Sequence, residues 1–189
     1  LDAIGVLARS ARDIATVLSA LLPRETVNLD ATERTKIRIL HDAIDASEAS
    51  VRSACQTALE PLLGFAVTLE SRSGLPLIES AGNEALIVMQ AEAAQAHRAR
   101  LEMPDFDPTL VKRLSKGLEI GDHDLAGSLA RRADIRRKAI DEVLGGADMM
   151  LLPVMPIRTP LLSETDPSAK HFTARTLYAL SNYTRFANY

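Results

Sequence analysis

Asp148 is followed by an unbroken apolar run, Met149 to Val154, and Pro153, Pro156 and Pro160 then fall within eight positions. A run of that length bounded by turn signals reads as a strand buried on both faces, because water touches neither side of it. The sequence therefore predicts a strand over Met149 to Val154. Proline has no N–H to give a ladder, so the strand must end among the prolines and the chain must leave the sheet as a loop. In open α/β proteins, loops leaving strand ends are where sites are built. The proline-rich exit is the first place to look for function.

Upstream, the pattern alternates between helix and strand. Ser10, with Asp13 three residues later, starts a helix carrying Ile14, Val17, Leu18 and Leu21 until Pro23. Pro23 to Thr35 reads as a polar loop, and "KIRIL", Lys36 to Leu40, as a strand. Val51, Cys55, Ala58 and Leu62 share one face of the next helix, which Pro61 and Gly64 end; "FAVTLE", Phe65 to Glu70, follows as a second strand. That βαβ order predicts parallel pairing through a right-handed crossover, hence a mostly parallel sheet flanked by helices. An alanine-rich helix is expected from Ala81 to Leu101 with Leu86, Met89 and Ala93 on one side, stopped by Pro104. Another runs from the Asp107 cap and Pro108 to about Leu118. Asp122 or Asp124 starts a long helix reaching Leu144, Gly145 and Gly146 close it, and Thr173 caps a short last helix with Leu177 and Leu180.

With 189 residues, 47% hydrophobic and 25% charged, the chain has the composition of a globular protein. One domain of that size buries roughly 70% of its unfolded surface. A net charge of −3 predicts no nucleic-acid or anionic-membrane partner. No apolar run approaches the roughly 20 residues needed to span a bilayer, and "LDAIGVLARS" lacks the basic start and apolar stretch of a signal peptide. The single cysteine, Cys55, fits a reducing, cytoplasmic compartment and reads as a small core residue. The first residue is not Met, so the sequence reads as an internal piece of a longer protein.

No motif announces chemistry by itself. GxSxG, HExxH, CxxC and phosphate-cradling glycine loops are absent. His41, His97, His123 and His171 have no metal-site spacing, so neither a metal nor a cofactor is expected. Ser115 and Lys116 are neighbours on a helix and point apart. "RRADIRRK", Arg131 to Lys138, holds five cations against one Asp; Arg132 and Arg136 share one face, whereas Arg131 and Lys138 share another. Such a split reads as a solvated surface with one or two inward arginines.

Three stretches, in order, carry a family resemblance. "LDAIGVLARSARDIATVLSALL" resembles the Asp-x-Ile-Gly turn, Arg-Ser pair and helix of amidase signature enzymes. "RADIRRKAIDEVLGGADMMLLPVMP" is similar to that family's long helix, Asp-led buried strand and proline-rich exit. "LYALSNYTRFANY" resembles its Thr-x-x-x-Asn helix. The resemblance implies a three-layer α/β/α fold on a mixed, mostly parallel sheet, and cofactor-free hydrolysis or transfer of a carboxamide. It also implies a Ser nucleophile activated by a second Ser and a neutral, buried Lys, with backbone N–H groups holding the oxyanion.

The segments that carry those groups in the family precede the position where Leu1 aligns. "SRSGLP", Ser71 to Pro76, lacks the glycine pairs an oxyanion hole needs. The chain is therefore expected to be a single partial domain, 1–189, truncated at both ends relative to the pattern, without catalytic residues and inactive alone. In glutamine-using members an arginine of the long helix binds the substrate carboxylate. Arg132 matches by its place before the strand, with Arg136 open because the spacing to Asp148 runs one residue long. A surface salt bridge is the alternative for either. Met155, Ile157 and Arg158 in the proline loop are the candidates for lining an acyl pocket, and Asn188 for fixing a turn. The expected partner is a small-molecule amide, and an exposed sheet edge would promote self-association into a homo-oligomer. The rival reading is a non-catalytic α/β binding or scaffold protein.

Overall fold

The computed structural model of the chain describes residues 5–22, 35–65, 67–170 and 172–189. Pro23 and all but the last residue of the loop expected from Pro23 to Thr35 lie outside the described residues. So do Ala66, His171 and the first residues of the expected Asp-x-Ile-Gly turn. Helix α1 spans Ala11–Leu21, and the Ser10 hydroxyl accepts from the Asp13 N–H at 3.1 Å, as the sequence requires. Strand β1 (Thr35–Leu40) runs into a short helix α2 (His41–Asp45), which had no sequence signal, and then into α3 (Ala49–Leu59). Strand β2 (Val67–Arg72) follows, then α4 (Leu75–His97), α5 (Pro108–Leu118), α6 (Asp122–Lys138), β3 (Met149–Leu151), α7 (Leu162–Thr165) and α8 (Ala174–Ala179).

The described strands form one three-stranded sheet in the order β2-β1-β3, parallel throughout. This is the α/β class expected, a parallel sheet with flanking helices. Register sets Arg38 opposite Glu70 on β2 and opposite Met150 on β3. The Arg38 side chain, 14% exposed, pairs with Glu70. Its Nε donates to the Leu144 carbonyl at 3.1 Å and its Nη2 to the Gly145 carbonyl at 2.9 Å. A cation at the end of a helix satisfies carbonyls that have no partner within it.

Two expectations need correction. Strand β3 is three residues long, not six, and is not buried on both faces. Met149 is 56% exposed, whereas Met150 packs onto the core of Leu40, Ala43, Ile78, Val143 and Tyr183. Among the described residues β3 pairs with β1 alone, and the chain departs before Pro153. Helix α4 begins at Leu75, six residues earlier than the alanine-rich stretch suggested. Its first turn is capped from a distance: Asp42 Oδ2 accepts from the Gly74 and Leu75 N–H groups at 2.8 and 2.9 Å. Its buried side is Ile78, Ala81, Gly82, Ala85, Val88 and Ala94, while Met89 faces outward.

Helix α4 is the spine against which α5 and α6 pack. At the α4–α5 crossing a side chain on Gly117 would collide with the Gln90 carbonyl oxygen and stand 2.7 Å from Ala94 Cβ. Glycine is required there by backbone approach. At the α4–α6 crossing Glu84 takes both Nε and Nη2 of Arg131, at 2.8 and 2.9 Å, and accepts from the buried Ser128 hydroxyl at 2.5 Å. Helix α6 continues as a π-helical turn, Ala139–Leu144, and Gly145 closes it in the left-handed conformation at φ 54°.

Two outcomes are expected. Gly117→Ala destabilises the fold by about 1–3 kcal/mol, the usual cost of overpacking, as read by chemical denaturation. The Arg131 hydrogen bonds hold the Glu84 carboxyl below its ordinary value. Its contribution is therefore full above the unfolded pKa of about 4.3 and is lost as pH falls through the lower folded value. Glu84→Gln should be less stable than the parent at neutral pH, and the gap should close below about pH 4.

Candidate functional site

The arginine-rich face of α6 meets the last turn of the chain. Ala81, Arg132, Arg136, Ile140, Phe186 and Tyr189 contribute to a depression of about 630 Å³ there. Arg132 Nε donates to the Tyr189 carbonyl oxygen, and its guanidinium lies 6.0 Å from the Tyr189 ring centroid. The Tyr189 hydroxyl donates to the Ser128 carbonyl. Arg136, one turn away, lines the same depression, and no described carboxylate pairs with it. Arg132 is thus the more committed of the two candidates to a partner within the fold, and Arg136 the one with its donors available.

Elsewhere in "RRADIRRK" the cations are consumed. Arg131 is held by Glu84 at 2.8 Å, while Arg137 and Lys138 both reach Asp134, at 2.6 and 2.8 Å. The surface is solvated as expected, but the inward arginine is not found: Arg131, Arg132, Arg136 and Arg137 are all exposed, and even the Glu84-bound Arg131 side chain is 53% open to solvent. Its exact partner, 47 positions away, gave no local signal.

The proline loop is fixed by Glu48. The Glu48 N–H donates to the Pro156 carbonyl at 2.8 Å, and its Oε2 accepts from the Arg158 N–H at 2.9 Å. Arg158 in turn places its guanidinium on Glu164, at 2.7 Å, and on the Thr159 carbonyl. The Glu164 hydrogen bond raises the pKa of that guanidinium. Met155 and Ile157 line a shallow, mainly apolar groove of about 600 Å³ with Val51, Cys55 and Leu151. Cys55 is half-buried there, and burial pushes its thiol up, away from the thiolate a nucleophile needs. Ile157 also faces a second cavity of about 490 Å³ shared with Glu48, Arg175, Tyr178 and Asn182. The five candidate residues therefore fall into two places: Arg132 and Arg136 in one depression, Met155, Ile157 and Arg158 around others.

Sequence reasoning missed Glu48, Arg175 and Asn182 beside the loop. Glu48 reads as an unremarkable residue before a helix, and its contact with Arg158 spans 110 positions.

A serine–histidine cluster stands at the carboxyl ends of β1 and β2. His41 Nδ1 lies 3.0 Å from the Ser71 hydroxyl and its Nε2 3.4 Å from that of Ser73. The cluster lacks what acyl transfer requires. Both ring nitrogens contact hydroxyls, so no carboxylate orients the ring, and the adjacent N–H groups of Gly74 and Leu75 are taken by Asp42. Ser115 and Lys116 sit on α5 without contact to one another. Among the described residues no three His, Cys, Asp or Glu side chains gather as a metal site. No described helix is long and apolar enough to cross a membrane.

No protein-family model and no curated protein matches the sequence. Among solved structures the chain is similar to a crystal structure of an amidase, with a TM-score of 0.75 and 26% sequence identity. The match covers 94% of this chain and 42% of that one. The chain thus has an amidase-like α/β fold and spans less than half the length of the amidase it resembles.

Proposed function

We propose that these 189 residues are one portion of an amidase that hydrolyses carboxamides to carboxylate and ammonia. In this reading they form a partial domain that supplies core and substrate-facing elements, and the Ser/Ser/Lys groups are supplied by polypeptide outside them. The observation that carries the reading is the extent of the likeness: 94% of the chain follows an amidase at a TM-score of 0.75. The ordered motifs of the sequence support it independently. So does the chemistry of the one serine–histidine cluster described above, which has neither a general-base orienter nor an oxyanion hole.

Within this reading Arg136 binds a carboxylate on the substrate, since a guanidinium with open donors grips a carboxylate bidentately. Arg132 holds the Tyr189 turn that forms the other side of the depression. Met155 and Ile157 line the apolar part of the substrate path, with Arg158 fixing the loop to Glu48 and Glu164. The partner is a small-molecule amide, and the protein works in the cytoplasm without metal or cofactor.

The test is ammonia release from a panel of small amides by the protein made from its complete reading frame and by these 189 residues alone. The complete protein should release ammonia and the 189 residues should not. Activity in neither, or equal activity in both, would contradict the reading. In the active form, Arg136→Ala should raise KM for a carboxylate-bearing amide such as glutamine by about tenfold or more, the loss of a charge-assisted hydrogen bond. It should leave a carboxylate-free amide unchanged.

A further inference from the structure

Between α4, α5 and α8 lies a cavity of about 500 Å³ that contains none of the residues discussed above as substrate-facing. Volumes of this order accommodate drug-sized ligands. Its floor is apolar, with Leu86, Met89, Phe172 and Leu177 among the lining residues. Among the described residues its charged lining is all cationic: Lys112, Arg113 and Lys116 from α5 and Arg185 from the last turn, with no Asp or Glu. A chain with net charge −3 has thus gathered four positive side chains around one apolar cavity.

Two features make that arrangement unfavourable when the cavity is empty. Lys112 and Lys116 are one helical turn apart, where like charges repel. Among the described residues neither has a carboxylate partner. Arg185 is half-buried and lies 6.0 Å from the Tyr178 ring centroid. Its Nη2 donates to the Tyr178 carbonyl at 2.9 Å and to Asn182 Oδ1 at 3.2 Å, and its Nε to the Ser181 carbonyl at 3.3 Å. These neutral acceptors orient the guanidinium without neutralising it, and burial lowers its pKa. A cation withdrawn from water and left without a counter-charge is costly, and an anion in the cavity would relieve that cost.

We propose that this cavity is a binding site for a small amphipathic carboxylate, its apolar body on the Leu86, Met89, Phe172 and Leu177 floor and its carboxylate among the rim cations. A neutral apolar molecule would leave the half-buried Arg185 without a counter-charge, and an amine would add to the positive charge of the rim. The proposal does not depend on the amide-cleaving reading: it concerns other residues and requires no reaction.

Titration calorimetry with octanoate, octanol and octylamine, which share a tail and differ in head group, tests it. Octanoate should bind saturably at one site, octanol about tenfold more weakly or worse, and octylamine not at all. The double variant Lys112→Gln/Lys116→Gln changes only exposed side chains. It should weaken octanoate by about tenfold and leave octanol unchanged. Met89→Trp enlarges a side chain already open to solvent, so the fold is kept, and it should weaken both ligands by filling the cavity. Equal affinity for octanoate and octanol, octanoate binding indifferent to all three substitutions, or no octanoate binding would each overturn the proposal.

Discussion

The guanidinium of Arg38 joins three parts of the chain that lie far apart in sequence. From the middle of the central strand it pairs with Glu70 on β2 and donates to the carbonyls of Leu144 and Gly145, at the end of the long helix that precedes β3. Each contact has its own requirement. The strand register must bring Glu70 opposite, and the helix must end with its carbonyls turned toward the sheet, which the left-handed Gly145 permits. The backbone repeats the same junction, since the Lys36 N–H donates to Asp148 Oδ2 at 2.7 Å and the Asp148 N–H to the Lys36 carbonyl at 2.9 Å. The sheet, the long helix and the start of the proline loop are thereby fixed relative to one another.

Beyond the junction, carboxylates do most of the long-range positioning. Asp42 caps α4 from the short helix α2, Glu84 clamps α6 onto α4 through Arg131, and Glu48 anchors the proline loop. Each meets its partner through geometry that a shorter or longer side chain would miss. Because α4 takes both the Asp42 cap and the α6 clamp, it transmits position from the sheet to the arginine face on which Arg132 and Arg136 lie. The proline loop receives its position separately, through Glu48. That division explains why the two sets of candidate residues occupy different depressions.

What was legible in the sequence was local. The Ser10, Asp107 and Thr173 caps, the βαβ parallel pairing and the paired glycines after the long helix all follow from neighbours within a few positions, and all are present. What was not legible depends on distant partners. The start of α4 is set by an aspartate 32 positions upstream, so a reading that began the helix at Ala81 missed its first turns. The apolar run from Met149 looked like a fully buried strand because hydropathy records what could be covered, whereas exposure depends on which elements actually flank it. The arginine cluster was read correctly as mostly solvated. Which arginine is clamped across to α4 was decided by Glu84, and no periodicity within α6 encodes that choice.

The account's central claim is that these residues shape an amide-cleaving site without supplying its nucleophile. The most direct measurement is to treat the protein made from its complete reading frame with a fluorophosphonate and locate the adduct by peptide mass spectrometry. The account predicts modification of a serine outside these 189 residues. An adduct on Ser71 or Ser73, beside His41, would contradict it.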